Sequence, residues 1–176
     1  LGELAYRCNL CRRCAQTCPI GVDNGLLARE IRKLFSQEMG IYPRELHERG
    51  TMNHMKAGSS TGMTPEVVKE NVEFIDEDYT ELTGVGIHTP FDVQGADIML
   101  LHNAGEIMAW PENIASFSLI FQEAGLSWTL SSKALAYDGV NYGVFYDDAQ
   151  TARIALQHMM AAKALGVKKI VIGECG

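Results

Sequence analysis

Four of the chain's five cysteines fall within eleven residues, in the stretch Cys8-Asn9-Leu10-Cys11-Arg12-Arg13-Cys14-Ala15-Gln16-Thr17-Cys18-Pro19. A C-x2-C-x2-C-x3-C-P run wraps three thiolates round one face of a cubane iron–sulfur cluster. The short spacings require the backbone to coil tightly round the cluster and aim its amide N–H groups at the sulfides. Zinc is the weaker reading, because structural zinc takes two more widely separated cysteine pairs or partner histidines, and nothing of that kind flanks the run. Adjacent disulfides would be strained in so crowded a loop. Cys8, Cys11, Cys14 and Cys18 are therefore the candidate metal ligands, and a 4Fe–4S cubane is the expected cofactor.

Where two cubanes share such a module, the cysteine before the proline ligates the other cluster. On that pattern Cys8, Cys11 and Cys14 hold one cluster and Cys18 serves a second. Only Cys175 remains, far away in sequence. Either Cys18 closes a single cluster, or a partner run lies outside these 176 residues. The start at Leu1 and the stop at Gly176, just after a strand-like run, favour the second option. The sequence reads as an excerpt of a longer protein.

Composition narrows the rest. The length allows one ordinary domain, or a small cluster module followed by an α/β domain. A net charge of −7 and the lack of any Lys/Arg run argue against a nucleic-acid partner. No apolar stretch approaches the ~18–20 residues a bilayer span needs. An oxygen-sensitive cluster and a thiolate-rich loop fit a reducing compartment, so a cytoplasmic location is expected.

Along the chain, Asp23 should cap a helix to about Met39, with Gly40 as its stop. Leu27, Ile31, Leu34 and Phe35 share one face and should cover the cluster, whereas Arg29, Arg32 and Lys33 should be solvated. Residues 41–62 lose periodicity and read as an irregular connector, with a helical turn at Pro43–Arg49. His47 and His54 read there as surface or linker histidines rather than ligands. Thr64-Pro65-Glu66 opens a helix to about Phe74, which the acidic patch Asp76-Glu77-Asp78 should end.

From Ala96 onward, strands at Asp97–Leu101, Leu126–Leu130 and Lys169–Ile172 alternate with helices from Pro111 to Glu123 and from Asp147 or Asp148 to Leu165. This order implies a parallel sheet. Ala152, Ala155, Leu156, Met159 and Met160 should face inward from the last helix. Ser131–Tyr146 reads as a loop loosened by Gly139 and Gly143. In open parallel sheets the working loops lie beyond the C-terminal strand ends. His102–Glu106, Ser131–Tyr146 and Glu174-Cys175 should converge there. Cys175, between Gly173 and Gly176, is the candidate redox residue of that edge, ahead of His102, Tyr137, Tyr142 and Tyr146.

The cluster run, its helix and the terminal Lys169-Ile-Val-Ile-Gly-Glu-Cys-Gly176 resemble the heterodisulfide-reductase catalytic subunits. They are similar in particular to the cytoplasmic iron–sulfur subunits of membrane redox complexes in sulfate reducers and sulfur oxidisers. The resemblance implies a ferredoxin-type module at residues 1–40, a connector at 41–95, and half of a cysteine-rich α/β domain from 96 to 176 that continues further. It implies two cubanes, and a noncubane 4Fe–4S cluster in the cysteine-rich domain. It also implies electron relay to a disulfide or trisulfide on a small carrier protein in sulfur metabolism, inside a complex with other subunits, a membrane cytochrome among them. Two departures stand out. His102-Asn103 replaces the family's Gly-Cys after the opening strand, and Ala136-Tyr137-Asp138-Gly139 replaces its Cys-Cys-Gly. An active-site cluster would then draw on cysteines beyond Gly176, with Cys175 as this half's contribution, catalytic or iron-ligating. A plain electron-transfer subunit without a substrate of its own is the alternative, and a structural module with a vestigial cluster is a third class. Arg7, Arg12 and Arg13 beside the thiolates would raise the cluster's potential if they point inward, or dock an acidic partner if they point out.

Overall fold

The structure, a computed structural model, describes residues 2–173. Three short parallel strands, β1 (Ile98–Leu101), β2 (Trp128–Thr129) and β3 (Lys169–Ile172), form a sheet in the order β2-β1-β3. β1 is central. Ile98 pairs with Trp128 on one side and with Lys169 on the other, and the register with β3 continues to Leu101 opposite Ile172.

Side chains alternate faces along a strand, and β1 shows the consequence. Leu100 joins an apolar cluster with Val68 and Val72 of α5 (Pro65–Thr83) and with Ile114 and Phe121 of α7 (Glu112–Glu123). Met99 and Leu101 join a second cluster with Ala161, Ala162 and Leu165 of α9 (Asp148–Leu165). Helices therefore cover both faces of the sheet, as a parallel sheet requires.

The caps predicted at Asp23 and Thr64 are present, and of Asp147 and Asp148 it is Asp147 that caps the last helix. Asp23 Oδ1 accepts from Leu26 N at 3.0 Å and opens α3 (Asn24–Lys33), which runs on through a wider π-type turn at Leu34–Glu38. Thr64 Oγ1 accepts from Val67 N at 3.4 Å to open α5. Asp147 Oδ1 accepts from Ala149 N at 2.9 Å and Gln150 N at 3.2 Å to open α9.

Elsewhere the structure corrects the sequence expectations. The acidic patch does not end α5, which continues to Thr83 and stops at Gly84 with φ +70°. Asp76 is buried. Its carboxylate accepts from Thr89 N at 2.6 Å and Thr89 Oγ1 at 2.8 Å, tying α5 to the segment that leads into the sheet. The connector is largely helical, with a π-type turn at Leu46–Thr51 running into α4 (Met52–Ala57). On α9 the inward residues are Ile154, His158, Ala161, Ala162 and Leu165, while Leu156, Met159 and Met160 are exposed. The small alanines let the helix lie close to the sheet, and the larger stripe faces out.

The expected loop at 131–146 contains α8 (Asp138–Tyr146). Its glycines serve close packing rather than looseness. A Cβ at Gly139 would lie 2.5 Å from His54 Cγ and 2.7 Å from Ile154 Cδ1; one at Gly143 would lie 2.5 Å from Thr151 Oγ1 and 2.7 Å from Thr151 N. Backbone nitrogen cannot move aside as a side chain can. Gly143→Ala is therefore expected to cost about 3 kcal/mol by overpacking. That lowers Tm by roughly 6–12 °C at this chain length. Gly86→Ala is the control, because nothing lies within 4 Å of its Cβ. Its Tm should stay within about 2 °C of the parent, as ordinary surface substitutions do. Equal melting of the two variants would show that α8 and α9 are not packed this closely.

Candidate iron–sulfur loop and strand-edge site

The cysteine run joins α1 (Gly2–Tyr6) to α3 through α2 (Arg13–Thr17). Leu10 and Arg12 adopt left-handed backbone, with φ of 60° and 57°. Left-handed conformation in non-glycine residues is uncommon and marks a sharply coiled segment. The coiling turns amides toward sulfur. Leu10 N donates to Cys8 Sγ at 3.4 Å. The backbone N–H groups of Val22, Ile20 and Gly21, that of Val22 most strongly, stabilise a thiolate at Cys18 and lower its pKa.

Cys11 is exposed, whereas Cys8, Cys14 and Cys18 are half-buried, and all four are free thiols. Four thiols in one loop are the donor chemistry an iron–sulfur cluster needs. Among the described residues, however, no three His, Cys, Asp or Glu side chains stand together as a metal-binding group. The fit therefore rests on donor type, spacing and the sulfur-directed amides. Cys175 lies outside the described residues.

The expected surroundings of the loop are partly inverted. Leu27 and Leu34 are exposed, while Ile31 and Phe35 are partly buried. The buried face of α3 is Gly25, Ala28 and Arg32. The cations on this helix are not simply solvated: Arg29 pairs with Asp148, and Lys33 Nζ lies 3.0 Å from the same carboxylate, fastening α3 to the start of α9. Arg7 turns to Glu3 at 3.0 Å and Arg12 to Asp23 at 2.6 Å. Arg32, read as a surface residue, is instead 1% exposed, and its guanidinium donates to the carbonyl of Cys8.

At the sheet's C-terminal edge the first two predicted loops do converge. Asn103 and Glu106 form a reciprocal capping box at the start of α6 (Ala104–Met108), with Asn103 Oδ1 accepting from Glu106 N at 2.7 Å and Glu106 Oε2 accepting from Asn103 N at 2.8 Å. Tyr137 N donates to the carbonyl of His102 at 3.0 Å. Asp138 Oδ1 accepts from Ala104 N at 2.8 Å, and its Oδ2 accepts from Ser60 Oγ at 2.5 Å. A Cβ at Gly173 would meet Glu106 Oε2 at 2.9 Å and His102 Nδ1 at 3.1 Å, so the end of β3 passes close over this pair.

His102 Nδ1 stands 3.4 Å from Glu106 Oε2, an ion-pair distance were the ring charged. Burial pushes the His102 pKa down to about 4, so at neutral pH the ring is uncharged and the contact is not an ion pair. A small apolar cavity of about 210 Å³ opens beside it, lined by Tyr137, Val140, Asn141, His158, Ile172 and Gly173. Tyr142 lies in α8, and Tyr146 at the end of that helix has a structural task. Its hydroxyl donates to Thr51 Oγ1 at 2.8 Å and meets His47 Nδ1 at 2.9 Å. Burial raises its pKa to about 12. His54, expected on the surface, is 1% exposed and accepts from Gly139 N at 3.2 Å.

Sequence reasoning missed Arg32, Asp76, Asp138 and His158. A charged residue on the small-residue face of a helix, as Arg32 is beside Gly25 and Ala28, was the one available signal.

Over nearly all of its length the chain is similar in sequence to two curated proteins named as iron–sulfur subunits of Hdr-like menaquinol oxidoreductases. The Archaeoglobus profundus protein named Hdr-like menaquinol oxidoreductase iron-sulfur subunit is 30% identical to it over 184 residues, covering 97% of this chain and 31% of that protein. The Archaeoglobus fulgidus protein named Hdr-like menaquinol oxidoreductase iron-sulfur subunit 2 is 27% identical over 179 residues, covering 98% of this chain and 31% of that protein. The chain thus spans about a third of the length of the curated relatives it matches. No family model matches the chain, and no solved structure matches it. No helix among the described residues is long and apolar enough to cross a membrane.

Proposed function

We propose that this chain is part of an iron–sulfur electron-transfer subunit in a heterodisulfide-reductase-like redox complex. The observation that carries the reading is the coiled Cys8–Cys18 loop, whose left-handed turns direct amides at sulfur, in a chain related over nearly all its length to iron–sulfur subunits. Cys8, Cys11 and Cys14 hold one 4Fe–4S cubane in a ferredoxin-type module, and Cys18 serves a second. The clusters supply one-electron transfer. The chain's own residues bind them, keep sulfur hydrogen-bonded, and set how readily an electron enters.

Downstream, the strand-edge site with His102, Glu106 and Tyr137 faces the cysteine-rich half of the complete protein. Cys175 contributes to a redox site there, as an iron ligand or as the thiol that receives substrate sulfur. The terminal reaction on this reading is two-electron, two-proton reduction on a small carrier protein, of a disulfide to two thiols or of a trisulfide to a thiol and a persulfide, the electrons arriving singly through the clusters. The relatives' names point to quinol as the donor side of such a complex, so other subunits, including a membrane cytochrome, are the partners, with this part on the cytoplasmic face. The alternative, a relay subunit with no substrate of its own, is favoured by the departures at His102-Asn103 and Ala136–Gly139.

Anaerobic reconstitution followed by iron and acid-labile sulfide counts and EPR tests the core of the proposal. Matched iron and sulfide near four of each per cubane, with a signal on reduction, is the expected result. Iron without sulfide would indicate a zinc-type mononuclear site instead.

A further inference from the structure

Arg32 is an unusual residue to bury. It is 1% exposed, and its Nε and Nη2 donate to the carbonyl of Ala5 at 3.0 and 2.7 Å, Nη2 also to the carbonyl of Cys8, and Nη1 to that of Phe145 at 3.4 Å. Its guanidinium carbon sits 4.9 Å from the centre of the Tyr6 ring and 5.7 Å from that of Phe145. Carbonyl dipoles and ring faces solvate the cation, but among the described residues no carboxylate pairs with it. Its neighbours on the helix do have carboxylates: Arg29 and Lys33 both reach Asp148.

A buried cation without an anion is strongly unfavourable. Of the groups the guanidinium touches, Cys8, whose carbonyl accepts from it, belongs to the cysteine loop, and Tyr6 offers it a ring face. The Cys8 side of the loop is where negative charge is due.

We infer that Arg32 is the buried counter-cation of the cluster held by the cysteine loop, and that it raises that cluster's reduction potential while anchoring the loop's first turn to α8. This inference rests on the cluster assignment proposed above. The electrostatic reason is direct. Adding one electron to the cluster adds one negative charge, and a cation held in a low-dielectric setting next to the Cys8 backbone stabilises the reduced form more than the oxidised one. Arg32 does not touch the reacting iron; it is a positioning and tuning residue. Arginine suits the place because its planar fork engages the carbonyls of Ala5, Cys8 and Phe145 at once, and it stays charged when buried.

The test compares midpoint potentials of the wild-type, Arg32→Gln and Arg32→Lys proteins, from dithionite titrations followed by EPR at matched iron and sulfide content. Dithionite supplies the electron. Arg32→Gln is expected to load its cluster and to show a midpoint shifted to more negative potential, while Arg32→Lys, which keeps the charge, stays close to wild type. An Arg32→Gln midpoint equal to wild type at full cluster content overturns the inference and leaves the cluster assignment standing. A wild-type protein that takes up no iron overturns the assignment itself. If Arg32→Gln does not fold, Arg32→Lys decides alone. A wild-type midpoint there supports charge as the active property, whereas a shifted midpoint, or loss of fold, makes Arg32 purely structural and overturns the inference.

Discussion

Cys11→Ser protein, reconstituted anaerobically, is expected to lose the reduced-cluster EPR signal of the Cys8–Cys11–Cys14 site or convert it to another cluster type, while keeping its fold. Cys11 is exposed and sits between the left-handed residues Leu10 and Arg12, and its amide donates to Asn9 Oδ1 at 3.3 Å. Its thiol packs against nothing that a hydroxyl would disturb. Substitutions at such surface positions usually change stability by no more than about 0.5 kcal/mol. The melting temperature of the metal-free protein should therefore match wild type, and any loss of iron then reports ligation alone. Cys18→Ser is the informative companion. If Cys18 serves a different cubane, as the ferredoxin spacing implies, its removal leaves the first signal in place. If the two variants lose the same signal, Cys18 closes the same cluster. Full iron retention and an unchanged spectrum in Cys11→Ser would remove the cluster from this loop.

How far the sequence foretold this arrangement depended on whether each cause was local. Asp23 and Thr64 were legible as caps, and the cap of α9 to within one residue, because a cap is a contract between a side chain and amides two or three residues away. The parallel sheet was legible from three apolar runs separated by helix-length segments. What escaped was decided by distant partners. Asp76 looked like part of a helix-ending acidic turn; its carboxylate is instead claimed by Thr89, thirteen residues on, and α5 runs past it. Gly139 and Gly143 looked like loop residues, and nothing nearby in sequence announces that His54 and Thr151 press against them. On α3 the hydrophobic stripe indicated the wrong face, because the small residues Gly25 and Ala28 and the single cation Arg32 turn inward. Leu27 and Leu34 are left on the surface. The thiol spacing is visible in the sequence itself, whereas the burial of the Arg32 guanidinium became visible only when α1, α3 and α8 were brought together.

The same burial makes the protein sensitive to mild acid, and stability should fall as pH drops from about 6.5 toward 4. Three histidines are responsible, His54, His102 and His158, each no more than 6% exposed. Burial pushes His54 down to about 4, helped by His158, whose ring centroid is 5.7 Å away. His102 is likewise pushed down to about 4 by burial. His158 is lowered by burial too, against the opposing pull of the Ala136 carbonyl and Asp138. The hydrogen bonds agree with the neutral forms, since His54 Nδ1 accepts from Gly139 N and so carries no proton. Below pH 6.5 the unfolded chain binds a proton at each of these rings while the folded chain does not. Stability is therefore complete above the unfolded pKa and is lost as pH falls toward the lowered folded values, about 4 for His54 and His102. Each such ring contributes a slope of up to about 1.4 kcal/mol per pH unit. Even two of them across one pH unit would remove roughly 3 kcal/mol from a typical total of 5–15 kcal/mol. Asp23 and Glu66, whose pKa values are lowered, act in a separate window below the ordinary carboxylate range. Urea midpoints measured from pH 7.5 to 5 at constant m-value, with cluster content checked at each pH, read the effect. His158→Gln, which keeps a donor for the Ala136 carbonyl, should reduce the slope by the share of one ring. A midpoint independent of pH between 6.5 and 5 would mean that the three rings take up protons as readily in the folded protein as in the unfolded chain, and would overturn the prediction.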